Sequence, residues 1–197
     1  PLIIVAAECN HAPNNARLSE YSPFTFQEEN LGRIRGRGKW TMEWLVQELK
    51  PMIDAQYPTL PQREATFIAG SSMGGLMSLY ALVAYNHVFS RAAALSPSIW
   101  LASSRVLGIV RQAELAPDTV LYMDYGSREL ANHPGILHSF SLLTSRLMDR
   151  GVWVNSRIVP NGDHCEACWE EQIPFFMQTL LLSLIHISEP TRRVVIS

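Results

Sequence analysis

The chain has 197 residues, 47% of them apolar and 17% charged. At roughly 150 residues per domain, that length allows one domain, and the apolar share, with charge below the usual ~25%, excludes a disordered chain. A formal net charge of −2 gives no electrostatic footprint for nucleic acid or an anionic membrane, and no apolar run reaches the roughly 18 residues of a membrane helix.

In chain order, Pro1-Leu2-Ile3-Ile4-Val5-Ala6-Ala7 predicts a buried strand over residues 2–7. It carries no initiator Met, polar lead-in or signal-peptide pattern, so the chain is expected to start inside a fold. Residues 30–39, NLGRIRGRGK, read as a Gly/Arg loop with Arg33, Arg35, Arg37 and Lys39. That loop is either a solvated turn or a cationic rim for an anionic substrate. A helix over 40–56 follows, which Pro51 should kink or split because it lacks a backbone donor. Further strands are expected at 65–69, 92–96, 120–124 and 153–159, with helices at 74–85, 104–114, 136–150 and 165–181. Apolar runs alternating with amphipathic stretches predict an α/β fold with a mostly parallel sheet. Strands this continuously apolar suit a sheet covered on both faces. From Leu182 to Arg192 the string LSLIHISEPTR is the codon-by-codon translation of a transposase sequencing adapter. Residues 1–181 are therefore expected to form part of a single domain and 182–197 a non-native tail.

Gly70-Ser71-Ser72-Met73-Gly74 fits G-x-S-x-G. Chance supplies such a match in about one chain in fifteen of this length, so its context carries the weight. A strand precedes it and an amphipathic helix follows, as a nucleophile elbow requires. Ser72 would then sit on a strained turn, and the small Gly70 and Gly74 would let strand and helix approach. The Met73 backbone N–H, at the positive end of the helix, would face a developing oxyanion.

A serine hydroxyl needs a base, and in this fold class the order is serine, acid, histidine. His11 precedes the serine, His87 lies just past the elbow helix, His133 and His138 flank a later helix, and His186 belongs to the tail. His164 follows the last strand in the turn-rich Pro160-Asn161-Gly162-Asp163 and is the one in the expected place. The acid should come from the loop after the preceding strand, where Asp124 and Glu129 both stand. Asp124 falls within the strand and reads as a structural contact. Glu129, beyond the Gly126-Ser127 turn, is favoured to hold the histidine tautomer.

Three cysteines (Cys9, Cys165, Cys168) make an odd set and no disulfide framework. Cys165-x-x-Cys168 has the spacing of a zinc or redox pair. Zinc needs about four ligands and no second pair is present. A thioredoxin-type pair would open the helix of an early βαβ unit. These cysteines read instead as half-buried small residues at the start of the final helix.

Four stretches together resemble the esterase D and enterochelin-esterase branch of the α/β hydrolases. They are Arg17-x-x-Glu20-Tyr21-Ser22-Pro23, the run from Ile68 to Leu76, the run from Phe89 to Pro97, and Gly162-Asp163-His164-x-Glu166. The resemblance implies an α/β-hydrolase fold with Ser72 as nucleophile, His164 as base and Glu129 as acid, and no metal or organic cofactor. By analogy Ser98 and Trp100 would line the acyl or leaving-group pocket. Members of that branch carry three more strands before the one matching residues 2–7, and a second oxyanion donor after the third. Loss of one such donor typically costs on the order of 10²–10³ in kcat. The chain as given is therefore expected to be inactive and poorly folded, and its fuller parent to be an esterase. The substrate would be a small carboxylic ester: an acylated sugar, a feruloyl ester, a thioester or a siderophore lactone. An acyltransferase would use the same residues. A non-catalytic binding module on the same scaffold would show a broken elbow or a missing histidine, whereas in this chain the elbow is intact and His164 is present.

Overall fold

The computed structural model describes residues 2–13, 16–29 and 32–187. The first regular elements are α1 (Ala16–Glu20), an antiparallel hairpin of β1 (Phe26–Glu28) and β2 (Gly32–Ile34), and α2 (Gly38–Trp44). A π-helical segment, Leu45–Leu49, links α2 to α3 (Lys50–Gln56). Then come β3 (Phe67–Ser71), α4 (Met73–Ala84), β4 (Arg91–Leu95), α5 (Ser103–Gln112), β5 (Val120–Gly126) and α6 (Ser127–Asn132). The remaining elements are α7 (Pro134–Asp149), β6 (Trp153–Val159), α8 (Glu166–Glu170) and α9 (Ile173–Ile187).

Sequential strands lie side by side in the order β3-β4-β5-β6, all parallel. Period-two alternation splits the core between two faces. Ala92, Ala94, Leu121, Met123 and Tyr125 face α4, α5 and α7, whose contributions include Leu76, Val106 and Phe140. Ala93, Leu95 and Tyr122 face the other way, against Phe176 and Leu180 of α9. Helix α4 also meets Met42 of α2 through Met77 and Tyr80, so it is apolar nearly all round. The register pairs Ser71 with Leu95 and Leu95 with Asp124, which brings the carboxyl ends of β3 and β4 to one edge beside the end of β5.

Element identities follow the sequence closely from β3 onward, and the departures have local causes. The 65–69 strand shifts to Phe67–Ser71 because Arg63–Ala65 winds into a 3-10 turn. Pro51 does not break its helix. The backbone changes to i→i+5 bonding over Leu45–Leu49, and α3 starts with the proline in its first turn, where no donor is needed. The single helix expected over 165–181 is two, α8 and α9. Pro174 cannot donate and its ring would clash with the carbonyl of Glu170, so the chain turns and restarts. Part of the Gly/Arg loop is the second strand of a hairpin; its Asn30 and Leu31 lie outside the described residues.

The strand expected over 2–7 is absent: these residues are irregular, and Leu2, Ile3, Ile4 and Val5 are exposed. A strand needs a ladder partner for its N–H and C=O groups, and β3 at the sheet edge pairs only with β4 among the described residues. Of the tail at 182–197, α9 runs on to Ile187 and residues 188–197 lie outside the described residues.

Candidate active site

Ser72 links β3 to α4 with φ 56° and ψ −119°, a conformation that L-residues rarely adopt. Two hydrogen bonds from the β4 side hold it: Ser72 N–H donates to the Leu95 carbonyl at 2.9 Å, and Ser98 N–H donates to the Ser72 carbonyl at 3.1 Å. The close approach of strand and helix depends on Gly70. A Cβ there would stand 2.6 Å from the Gly74 backbone. Gly74 itself needs no such exemption, because a Cβ at that position would meet nothing within 4 Å. The pair expected to be equivalent is therefore one tight glycine and the backbone it packs against.

His164 reaches Ser72 from the loop after β6. Its Nε2 lies 3.0 Å from Ser72 Oγ, and its Nδ1 lies 2.7 Å from Glu129 Oε2. An ionised carboxylate only accepts, so Nδ1 carries the proton and Nε2 faces Ser72 as an acceptor. Glu129 projects from the first turn of α6 and is buried, while His164 is part-exposed. Its other oxygen accepts from the Gly126 N–H at 2.9 Å and the Ser96 hydroxyl at 2.6 Å. Burial pushes the Glu129 carboxyl up, but hydrogen bonds from His164, Ser96 and Gly126 outweigh it and hold the group below its ordinary range.

Gly126 and Gly162 let the two loops meet, since a Cβ on Gly126 would run into the Gly162 carbonyl. Arg128 N–H donates to that carbonyl at 3.1 Å, and Asn161 N–H donates to Ser127 Oγ at 2.9 Å. Asp124 is elsewhere. It is buried on the α9 side of the sheet, accepting from the Tyr122 hydroxyl at 2.8 Å and the Ser96 N–H at 3.2 Å. Desolvation raises its carboxyl from 3.8 to about 6.

The other expected residues also gather here. Met73 begins α4, whose first N–H groups have no intrahelical acceptor. Ser98 is buried with its Oγ 3.5 Å from Ser72 Oγ, and Trp100 is exposed with its ring edge-on to His164 at 6.2 Å. Two participants have no distinguishing signal in the sequence. Trp169 of α8 packs edge-on against His164 at 4.9 Å, and its indole N–H donates to Ser96 Oγ at 3.0 Å. Ser96, at φ 40°, passes that bond on to Glu129. In the sequence Trp169 reads as part of one continuous final helix, whereas in the fold it lies in α8, separated from α9.

A cavity of about 520 Å³ opens elsewhere, beside α3, lined by Val46, Lys50, Asp54, Arg63 and His87. Its cations are engaged: Lys50 with Asp54 at 2.6 Å and Arg63 with Asp118 at 2.7 Å. Among the described residues no group of three metal-ligating side chains gathers.

A parallel sheet with helices on both faces, turning from strand to helix at G-x-S-x-G, is of the α/β-hydrolase type. The chain belongs to the Esterase family (described as "Putative esterase"), which it matches over residues 3–178. It is 24% identical to the uncharacterized protein YbbA of Bacillus subtilis (strain 168) over 131 residues, which is 65% of this chain and 50% of that protein. The chain thus spans about half the length of this curated relative. Among solved structures it resembles the BES protein from Bacillus cereus, with TM-score 0.65, 18% identity, and coverage of 83% of this chain and 62% of that one. It also resembles the enterobactin esterase FES from Shigella flexneri crystallised in the presence of enterobactin. That match has TM-score 0.63, 23% identity, and coverage of 73% of this chain and 37% of that one. These likenesses show the fold, and the Esterase family match agrees with the esterase reading of the motifs.

Proposed function

We propose that Ser72, His164 and Glu129 serve an esterase that hydrolyses a carboxylic ester through an acyl-enzyme on Ser72, the activity being assigned to the fuller protein, since the chain spans about half the length of its curated relative. The observation that carries this reading is the relay from Glu129 Oε2 through His164 to Ser72 Oγ, at 2.7 and 3.0 Å, on a backbone turn held in a strained conformation. His164 takes the Ser72 proton as Oγ attacks the ester carbonyl, then returns it to the departing alkoxide. Water activated by the same Nε2 then releases the acid. Glu129 keeps Nδ1 protonated and stabilises the imidazolium. The Met73 N–H receives the oxyanion at the positive end of α4. Ser98 and Trp100 border the space where the acyl or leaving group rests, and no metal or organic cofactor enters the reaction.

The family supports ester chemistry, and the likeness to the enterobactin esterase FES, crystallised in the presence of enterobactin, supports a small-molecule substrate of the siderophore-ester kind. The exposed Arg33, Arg35, Arg37 and Lys39 favour an anionic one. We assign residues 1–181 to the hydrolase domain and 182–197 to a tail foreign to it; the family match ends at residue 178, in keeping with that division. Covalent labelling with a fluorophosphonate tests the reading. A phosphonyl adduct on Ser72 that disappears in Ser72→Ala is the expected result. An unmodified Ser72 would make the scaffold a binding module.

A further inference from the structure

His164 lies in the sequence Asp163-His164-Cys165, and the residues on either side of it are tied to a pair of thiols. Cys165 Sγ and Cys168 Sγ are 3.3 Å apart and unbonded. Cys165 is the residue before α8 and Cys168 lies in its first turn, so the two stand one turn apart, both half-buried. Cys168 Sγ also accepts a hydrogen bond from the Asp163 N–H at 3.3 Å, and Cys165 N–H donates to the Asp163 carbonyl at 3.0 Å. Cys168 Sγ therefore holds the backbone just before the histidine, and Cys165, whose sulfur faces it, is the residue just after.

We infer that Cys165 and Cys168 form an oxidation site, at which a hydroperoxide converts the dithiol to a disulfide and thereby displaces His164 from Ser72. One thiolate attacks a peroxide oxygen, the O–O bond breaks, and a sulfenic acid and an alcohol (or water) form. The second thiol attacks that sulfur, the S–S bond forms, and the sulfenic oxygen leaves as water. In sum, two thiols and one hydroperoxide give a disulfide, an alcohol and water. A disulfide has its sulfurs about 2.05 Å apart, so the 3.3 Å pair must close by more than an ångström. Closure draws Cys168 Sγ towards Cys165 and away from the Asp163 N–H. The Asp163-His164-Cys165 backbone then shifts against Glu129 and Ser72, which belong to other elements. Edge contacts with Trp100 and Trp169 resist the movement without preventing it, because His164 is part-exposed.

The consequence for acylation rests on the function proposed above; the disulfide does not. The full chain is treated with hydrogen peroxide, and its free thiols are counted by mass after alkylation. Three alkylated cysteines are expected before treatment and Cys9 alone after it, reversed by dithiothreitol. Cys168→Ser should form no intramolecular bond. Fluorophosphonate labelling of Ser72 should slow by up to about 10²-fold on oxidation, the scale of a misplacement near 1 Å, and Cys168→Ser should label at one rate with or without peroxide. Three thiols surviving peroxide would overturn the site. A disulfide that left labelling unchanged would overturn its coupling to His164. Failure of the reduced protein to label would count against Ser72 as nucleophile while leaving the thiol count to decide the disulfide.

Discussion

Leu2-Ile3-Ile4-Val5 and Val120-Leu121-Tyr122-Met123 are apolar runs of the same length and kind. The first is 48, 45, 78 and 46% exposed and irregular, whereas the second is 3, 0, 0 and 0% exposed at the centre of the sheet. Strand propensity is similar for both, so composition does not separate them. Val120–Gly126 has β4 on one side and β6 on the other to take its N–H and C=O groups, and helices on both faces to take its side chains. The N-terminal run has neither. A strand is therefore a property of pairing, and an apolar run is only a candidate for it. The difference extends to the candidate site, because β5 leads directly into the turn that presents Glu129.

The largest expected effect lies at that turn. Glu129→Gln should slow fluorophosphonate labelling of Ser72 by about 10³–10⁴-fold, because the amide no longer enforces the Nδ1–H tautomer. Asp124→Asn should leave labelling within a few fold, and the reverse ranking would reassign the acid. Next, Leu121→Ala should cost about 2–5 kcal/mol in urea melts, and Ile4→Ala less than about 0.5. A large loss at Ile4 would break the comparison.

Third in size is the pH response of β5. Asp124, raised to about 6, is protonated in the folded chain where the unfolded chain, near 3.8, has already ionised. Stability should therefore fall as pH rises from about 4 to about 6, by about 3 kcal/mol at 1.36 per unit. Asp124→Asn should remove that fall when melts of the two proteins are subtracted. Glu129 acts in the opposite sense: its depressed carboxyl adds stability above the usual carboxylate range that is lost on acidification. Smallest is Gly70→Ala, expected to cost about 2 kcal/mol by forcing β3 and α4 apart. Gly74→Ala should stay within about 0.5 kcal/mol, since its Cβ enters open space.

Much of this fold is legible in the sequence. Strands 153–159 and 120–124 and the helix at 136–150 between them follow from apolar continuity and turn residues, and β6 matches residue for residue, whereas the short α6 that carries Glu129 reads in the sequence only as a loop after a turn. That Ser72, His164 and Glu129 meet is legible because strand order fixes which loops share an edge. Ser96 and Trp169 are not, since a serine after a strand and a tryptophan in a helix carry no mark of their partners. The misreading at 2–7 has the same origin: propensity is local and pairing is not. The thiol pair was visible as a spacing, but its grip on Asp163 required the fold.

The bonds that brace Ser72 give the site a lifetime. Its unusual backbone persists only while Leu95 and Ser98 hold it, and both belong to the end of β4 and the loop that follows. Unzipping of the last residues of β3 from β4 would release the turn without unfolding the rest of the sheet. Amide hydrogen exchange at Ser72 and Ser98 would time those openings together. The geometry of this serine is in that sense a cooperative property of two neighbouring strand ends, renewed each time they close.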